Sequence, residues 1–199
     1  MQLCCITGFI FTKKTNMKSN IFIYLSILCI GLFTACNPDD ELVNDEEVIT
    51  SLVYTLTSAS GDIVTLTYTD ADGEGGLPGV AVGGTFQANT TYAGAVQVLN
   101  TLEDPAENIT EEVEEEDLEH QFFYVSTLDG LSVAYGDEDS EGNPLGIITT
   151  LTTGDAGTGT LTVSLIHEPN KSGENVSAGN PANAGGETDI EVSFDIDVQ

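Results

Sequence analysis

Basic side chains are almost absent from this 199-residue sequence, which has no arginine and four lysines. Lys13, Lys14 and Lys18 lie near the amino terminus, and Lys171 is the only lysine that follows them. All 33 acidic residues lie within residues 36–199, so that with one lysine this segment carries a formal charge of −32. Because neutralising phosphate groups requires lysine and arginine, this charge excludes nucleic-acid binding as a function.

Cysteine and tryptophan are also scarce. The sequence has four cysteines, all at or before position 36, and no tryptophan. Residues 37–199 therefore contain neither a disulfide nor a cysteine-based metal site, and stacking of tryptophan on a sugar is excluded. The motifs G-x-S-x-G, H-E-x-x-H and G-x-x-x-x-G-K-[ST] are missing as well, and carboxylate pairs are too abundant to single out a glycosidase dyad. We therefore expect a protein that is not an enzyme.

A short apolar segment follows the three amino-terminal lysines. Residues 21–33 (IFIYLSILCIGLF) form a run of 13 residues. At about 1.5 Å per residue, a helix of this length does not comfortably cross a hydrocarbon core of about 30 Å. A basic segment followed by a short apolar one is typical of a secretory signal peptide. We expect residues 1–35 to be this signal, with Met17 as an alternative start.

Two small residues lead from the apolar segment directly into Cys36. This arrangement resembles the lipobox of bacterial lipoproteins, although Phe33 stands where that motif more usually has leucine. The acidic residues that follow resemble the surface-export signal of Bacteroidetes-type lipoproteins. The resemblance implies lipidation of Cys36, an acidic tether over residues 36–47, and an outer-membrane protein at the cell surface or, otherwise, on the periplasmic face. An ordinary cleaved signal with an unmodified cysteine is the alternative.

Residues 48–199 alternate Val, Ile, Thr and Tyr with polar residues, between turns of Gly, Asn, Asp and Pro. Eight short strands with this period-two pattern predict an all-β fold, an antiparallel β-sandwich. Residues 109–119 combine good helix formers with repelling charges, which predicts a short solvated helix or an acidic loop. Residues 168–187 are predicted to be a long loop. The predicted strands are residues 48–57, 63–69, 92–101, 121–127, 131–135, 147–153, 160–167 and 189–198.

An internal duplication is indicated by two similar segments. VYTLTSASGDIVTLTYTDADGEGGLPG, from Val53, aligns with FYVSTLDGLSVAYGDEDSEGNPLG, from Phe123. The alignment predicts two repeats, over about residues 48–118 and 119–199. Two separate small sandwiches are one outcome, but a repeat of about 70 residues is marginal as an independent core. We therefore expect one pseudo-symmetric sandwich.

Both repeats contain the pattern D-x-D-x-E-G in an acidic turn. Oxygen ligands at alternate positions, followed by a glycine at the sixth, form the first half of many calcium loops. The twelfth position holds Ala81 in one turn and Ile148 in the other, so the usual closing glutamate is missing. Metal-free turns that connect strands are the alternative. The predicted calcium ligands are Asp70, Asp72 and Glu74 in the first turn, and Asp137, Asp139 and Glu141 in the second.

The chain has two histidines, and each one adjoins a glutamate. Glu119 and His120 open one predicted strand, and His167 and Glu168 end another. Two imidazoles and two carboxylates suit zinc, copper or iron if these strand ends converge. Histidines with a purely structural role are the alternative. The sequence therefore predicts a transition-metal site made of Glu119, His120, His167 and Glu168.

Four motifs are spread over the segment after Cys36, namely EEVITSLVYTLT, DADGEGG, EHQFFYV and GGETDIEVSFDI. With the strand pattern, they resemble a group of flavobacterial lipoproteins, some of which carry the label "type 1 periplasmic binding fold superfamily protein". That fold requires alternating strands and helices, and this sequence predicts almost no helix, so we retain the β-sandwich.

The charge and the resemblance together lead to a functional hypothesis. We expect a membrane-anchored module that binds a cation or another ligand without catalysis, as an accessory to an outer-membrane transporter. The alternative is a structural or adhesive surface module whose acidic faces are bridged by cations.

Overall fold

The computed structural model describes residues 47–73 and 75–199. The predicted signal peptide, Cys36 and residues 36–46 of the tether lie outside the described residues, as does Glu74. Their predictions therefore stay predictions. Within the described residues, no helix combines the length and apolar character needed to cross a membrane.

The described residues form ten strands, which are arranged as two sheets that pack against each other. This arrangement confirms the prediction of an all-β sandwich. The strands are β1 (Ser51–Ser58), β2 (Ile63–Thr69), β3 (Val80–Val82), β4 (Gly84–Phe86), β5 (Thr91–Leu99), β6 (His120–Ser126), β7 (Ser132–Tyr135), β8 (Ile148–Thr152), β9 (Gly157–His167) and β10 (Glu187–Val198), with the helix α1 (Ile109–Glu115) and a 3-10 helix (Pro181–Asn183).

One sheet has six strands in the order β3-β2-β1-β5-β8-β7, and the other has four in the order β4-β10-β9-β6. The pairing of β4 with β10 is parallel, and the other strand pairs of the described residues are antiparallel. Strands β3 and β4 were not predicted from the sequence. Each is an edge strand of three residues, and three residues are too few for an alternating pattern to be recognised.

The main core lies between the sheets, where alternate residues of the long strands are buried. In β10 this pattern brings Val192, Phe194 and Ile196 to the inner face, opposite β1 residues such as Tyr54. The four-stranded sheet also buries part of its outer face, where Phe123 packs with Ile166, Val176 and Ala184 in a second cluster. The last two of these residues belong to the loop between β9 and β10. This loop was predicted, and it covers the strands that carry the two histidines.

The structure does not show the predicted duplication. Strands β1 and β2 form an antiparallel hairpin, whereas β6 and β7, their counterparts in the second repeat, lie in different sheets. Each sheet also draws strands from both predicted repeats. The difference has a physical cause, since β6 buries Phe122 and Phe123 on opposite faces and therefore needs cover on both sides.

Helix α1 is shorter than the acidic segment that predicted it. Its buried residues are Ile109, Thr110 and Val113, and the Thr110 hydroxyl accepts a hydrogen bond from Val98 N and donates one to Val98 O. The acidic side chains of Glu111, Glu114 and Glu115 are exposed. The predicted short helix thus exists, but it is solvated on one side only.

Candidate metal centre

The two histidines lie directly opposite each other on neighbouring strands. His120 is the first residue of β6 and His167 the last residue of β9, and the antiparallel register pairs them. Their ring centroids are 4.7 Å apart, and the residues are 0% and 4% exposed. The structure therefore brings together the two strand ends whose convergence the sequence left open.

Two carboxylates that were not predicted as ligands complete the cluster. His120 Nε2 lies 3.1 Å from Glu47 Oε1 and 4.0 Å from Asp189 Oδ2. His167 Nδ1 lies 3.8 Å from Glu47 Oε2. One ligand atom from each of the four residues lies within 4.8 Å of all the others. We call Glu47, His120, His167 and Asp189 the buried centre.

These separations are close to those of a tetrahedral metal site. Zinc binds nitrogen and oxygen ligands at about 2.0–2.2 Å, which sets neighbouring ligands about 3.3 Å apart. Three of the observed distances, 3.1, 3.8 and 4.0 Å, lie within about 0.7 Å of this spacing. The four ligand atoms all lie within 4.8 Å of one another. The side chains are therefore near the geometry of a coordination shell.

A β-bulge in β10 supplies one of the carboxylates. Thr188 lies opposite Ile166 and Ile190 lies opposite Leu165, so Asp189 is the extra residue of the bulge. A bulge changes the face of the sheet to which a side chain points. After the bulge, alternate apolar residues of β10 face inward in a regular series. Strict alternation would direct Asp189 to the outer face when Ile190 faces inward. The sequence pattern therefore gave no reason to choose Asp189.

The segment that precedes β1 supplies the other carboxylate. Glu47 was assigned to the acidic tether, yet its side chain is only 7% exposed. Backbone hydrogen bonds hold the segment in place, from Thr50 N to Leu99 O and from Asp70 N to Thr50 O. The only sequence signal for Glu47 was its position directly before an apolar strand.

The backbone at the end of α1 orients the His120 ring. His120 Nδ1 lies 3.3 Å from the carbonyl oxygen of Glu116, the residue that caps this helix. When Nδ1 donates its proton to this carbonyl, Nε2 carries the lone pair and faces the carboxylates. A hydrogen bond that fixes the second nitrogen is the usual support for a metal-bound histidine.

Several polar atoms of the buried centre are left without a hydrogen bond. Among the described residues, His120 Nε2, His167 Nδ1 and Glu47 Oε2 are buried and have no aligned partner. His120 Nε2 nevertheless lies 3.1 Å from Glu47 Oε1, close enough for an ion pair when the ring is protonated. A buried polar atom that lacks any hydrogen bond costs about 1–3 kcal/mol. Since three of them converge on one place, a bound cation would satisfy all of them together.

The proximity of Glu47 and His120 changes the pKa values of both groups. The His120 imidazole lowers the pKa of Glu47 below 4.5, although burial acts in the opposite direction. Burial alone would lower the pKa of His120, but the Glu47 carboxylate raises it above 6.5. Without a metal ion, the two groups therefore form an ion pair in weakly acidic solution.

No protein-family model matches the chain, and no curated protein matches it. Its function therefore has to be inferred from the chemistry of the buried centre and its surroundings.

The predicted ligands Glu119 and Glu168 lie on the outer side of His167. Glu119 Oε2 is 3.7 Å from His167 Nε2, and both glutamates are exposed. They form a second group with His167, whose ligand atoms lie within 4.8 Å of one another. The predicted set of four is thus divided, because His120 belongs to the buried centre only.

A cleft of about 380 Å³ borders the buried centre. Its lining includes Glu47 and Asp189 of the buried centre, together with Tyr68, Asp70 and Glu187. Because the carboxylates carry like charge, the cleft favours cations over anions.

The first acidic turn uses its carboxylates to bind its own backbone. Asp70 Oδ1 accepts a hydrogen bond from Gly73 N at 3.0 Å, and Asp72 Oδ2 accepts one from Leu77 N at 3.1 Å. Aspartate commonly stabilises turns in this way without a metal. These bonds agree with the metal-free alternative, and the calcium site stays a prediction.

The second acidic turn is built similarly, with the addition of a lysine. The carboxylate of Asp137 accepts hydrogen bonds from Gly146 N and Ile148 N, at 2.7 and 2.8 Å. Asp139 accepts hydrogen bonds from backbone N–H groups of the turn, and its Oδ2 lies 2.9 Å from Lys171 Nζ. Among the described residues, the predicted calcium ligands Asp70, Asp72, Asp137, Asp139 and Glu141 belong to no group of three carboxylate or histidine ligands.

Proposed function

We propose that this protein is a membrane-anchored lipoprotein that binds a divalent transition-metal ion without catalysing a reaction. Zinc is the ion that the donor set fits best, and the buried centre of Glu47, His120, His167 and Asp189 is its site. The observation that carries the proposal is the convergence of two buried imidazoles on two buried carboxylates, at 3.1–4.0 Å.

The donor set favours zinc over calcium at this site. Zinc accepts nitrogen and oxygen ligands in a tetrahedron, whereas calcium prefers six to eight oxygens. Two carboxylates and two neutral imidazoles balance the charge of a divalent ion, which reduces the cost of burying it. Copper and iron accept the same donors, so competition between metals belongs to the test.

Four protein ligands make a carrier or structural site more suitable than a catalytic one. Catalytic zinc sites keep a coordination position for water or substrate, and they typically have three protein ligands. In the buried centre, four side chains from three strands and the preceding segment bring one ligand atom each to within 4.8 Å of the others. We infer that the ion is held as cargo or as a structural element.

The location predicted from the sequence indicates where this metal binding takes place. Lipidation of Cys36 would hold the domain at the outer membrane, and its charge of −32 would concentrate cations near the surface. We propose that the protein captures metal ions there and presents them to an outer-membrane transporter. The structural or adhesive alternative requires only the acidic surface, so it predicts cation effects that do not depend on the histidines.

Metal titration of single-residue variants tests the proposal. The protein carrying Cys36→Ser, freed of metal with EDTA, is titrated with Zn²⁺, Cu²⁺ and Ca²⁺ by calorimetry, and its Tm is measured. At free Zn²⁺ 100-fold above Kd, binding stabilises the folded protein by about 2.7 kcal/mol. We expect His120→Gln and His167→Gln to weaken Zn²⁺ binding at least tenfold.

The double variant E114Q/E115Q is the matched control, because it removes two exposed charges of α1 and no ligand. It should keep the full Zn²⁺ response. If both histidine variants bind Zn²⁺ as tightly as the parent protein, the buried centre is not the site. A Ca²⁺ response that survives in the histidine variants would instead point to the acidic turns.

A further inference from the structure

The His167 ring lies between two sets of carboxylates. Its Nδ1 is 3.8 Å from Glu47 Oε2, inside the buried centre, and its Nε2 is 3.7 Å from Glu119 Oε2, on the solvent side. The two nitrogens of an imidazole point in different directions, so they cannot bind the same ion. Nε2 is therefore left over when Nδ1 serves the buried centre.

The chain places two glutamates close to the His167 ring. Glu119 immediately precedes β6 and Glu168 immediately follows β9, and the two strands are neighbours. A hydrogen bond of 2.6 Å from Glu168 N to Glu119 O ties the two backbones together. One carboxylate oxygen from each glutamate and one His167 nitrogen lie within 4.8 Å of one another.

We propose that Glu119, Glu168 and Nε2 of His167 form a second, solvent-facing site for a divalent transition-metal ion. This outer site shares the His167 ring with the buried centre, so the proposal rests on the proposed function. It extends that function from one ion to two.

The histidine distinguishes this group from the other acidic clusters of the surface. His167 is 4% exposed, and its Nδ1 has no aligned hydrogen bond within the described residues. The distance of 3.7 Å between Nε2 and Glu119 exceeds that of a hydrogen bond. It is close to the spacing of about 3.3 Å between ligands of one tetrahedral ion. Both nitrogens of this buried ring therefore lie beside carboxylates, at distances longer than a hydrogen bond.

Occupation of both sites changes the protonation of His167. A neutral imidazole has one N–H and one nitrogen lone pair, so it binds one ion. When the second ion binds, Nε2 loses its proton to the buffer, and the ring becomes an imidazolate that bridges the two ions. The outer ion has three protein ligands in contact with solvent, where screening is strong, so it binds more weakly than the buried one.

Nitrogen NMR of the histidine rings tests the shared site directly. Because the chain has two histidines, four ring nitrogens are to be assigned, and the His120→Gln variant identifies those of His167. In the Cys36→Ser protein, the first equivalent of Zn²⁺ should shift His120 Nε2 and His167 Nδ1. The second equivalent should shift His167 Nε2, with the loss of its attached proton.

Calorimetry of a double variant identifies the ligands. E119Q/E168Q should retain the tighter Zn²⁺ binding event and weaken the second at least tenfold. The matched control E114Q/E115Q removes the same charge from α1 and should retain both events. A second event equally strong in E119Q/E168Q, or a His167 Nε2 that stays protonated with two equivalents present, would overturn the outer site. Failure of the proposed function has a different result, in which E47Q/D189N leaves the tighter event unchanged.

Discussion

The chemistry of the buried centre depends on a contact between two residues that are 73 positions apart in the chain, Glu47 and His120. Each one changes the pKa of the other in the direction that favours its charged form. In the metal-free protein, this ion pair stabilises the fold. In the metal-bound protein, the ion replaces the proton of His120, since a coordinating imidazole must be neutral. Proton and metal therefore compete for one atom, His120 Nε2.

The stabilisation that the ion pair gives has a defined pH range. Since the pKa of His120 is raised in the folded state, its contribution is complete below pH 6.5 and is lost as the pH rises through that raised value. Since the pKa of Glu47 is lowered, its contribution is complete above pH 4.5 and is lost as the pH falls through the lowered value. The pair is therefore fully formed from pH 4.5 to 6.5.

Substitution of Glu47 tests this range. In EDTA at pH 5.5, we expect Glu47→Gln to lower the free energy of unfolding by about 1–3 kcal/mol, because it removes the nearer of the two carboxylates beside a buried charged imidazole. At pH 9 the effect should be clearly smaller. Urea unfolding at the two pH values measures both, with Glu114→Gln as the exposed control. An equal loss at the two pH values would contradict the ion pair.

In the same buffers, the affinity of the protein for Zn²⁺ should increase from pH 5 to pH 8, because fewer protons compete for His120 Nε2.

At the scale of the elements, one lysine connects the loop between β9 and β10 to two neighbouring segments. Lys171 is the lysine that the sequence singled out, and its Nζ lies 2.9 Å from Asp139 Oδ2 and also donates to the carbonyl of Asp117. It therefore joins the loop to the second acidic turn and to the residues after α1. Burial by itself would raise the pKa of Asp139, but the hydrogen bonds from Lys171 and Asn143 lower it below 3.8.

Removal of this lysine should destabilise the protein. Lys171→Met leaves the Asp139 carboxylate buried without its cation, and we expect a loss of about 3 kcal/mol at pH 7. The double variant K171M/D139N should recover part of this loss. Because the pKa of Asp139 is lowered, the contribution of the pair is present above pH 3.8 and is lost as the pH falls through the lowered value. Thermal unfolding at pH 7 and pH 3 measures both effects, and a fully stable Lys171→Met protein would refute them.

The sequence predicted those elements whose faces differ in polarity. The bounds of β2, Ile63–Thr69, agree with the predicted strand, because apolar and polar residues alternate there from Val64 onward. The structure places β6 and β7 in different sheets, although their counterparts β1 and β2 form a hairpin. The sequence could not indicate this, because a β-strand that is buried on both faces gives no sign of which sheet it joins. The histidines were predicted as candidates, since each stands at a strand end beside a glutamate.

Two ligands of the buried centre, Asp189 and Glu47, could not be predicted from a local sequence pattern. Asp189 enters the buried centre through a bulge, and a bulge is a property of two paired strands rather than of one sequence. Glu47 enters from a segment without regular structure, and its partners His120 and His167 follow far along the chain. Long-range register decides both cases, so sequence periodicity could not indicate them.

At the scale of the whole molecule, the charge has consequences that are separate from the metal centre. Residues 36–199 carry a formal charge of −32, and their one lysine is itself buried against Asp139. Self-repulsion of this magnitude opposes folding, and salt reduces it. Between about 0.01 and 1 M salt, the Debye length falls from about 30 to about 3 Å, which suppresses repulsion between most surface charges.

We therefore expect screening by salt to depend on the acidic surface, and specific binding of Zn²⁺ to depend on the histidines. With EDTA present, the Tm of the Cys36→Ser protein should rise steadily as NaCl increases from about 0.01 to about 1 M. The double variant H120Q/H167Q should show the same rise, because screening does not require the histidines, while its response to micromolar Zn²⁺ is lost. Thermal unfolding of the two proteins in both titrations gives the comparison. A Tm that does not depend on NaCl would show that the acidic surface is already neutralised by other means. The proposal that the charge concentrates cations would then be wrong. The buried centre would be unaffected by this result, because it has its own test.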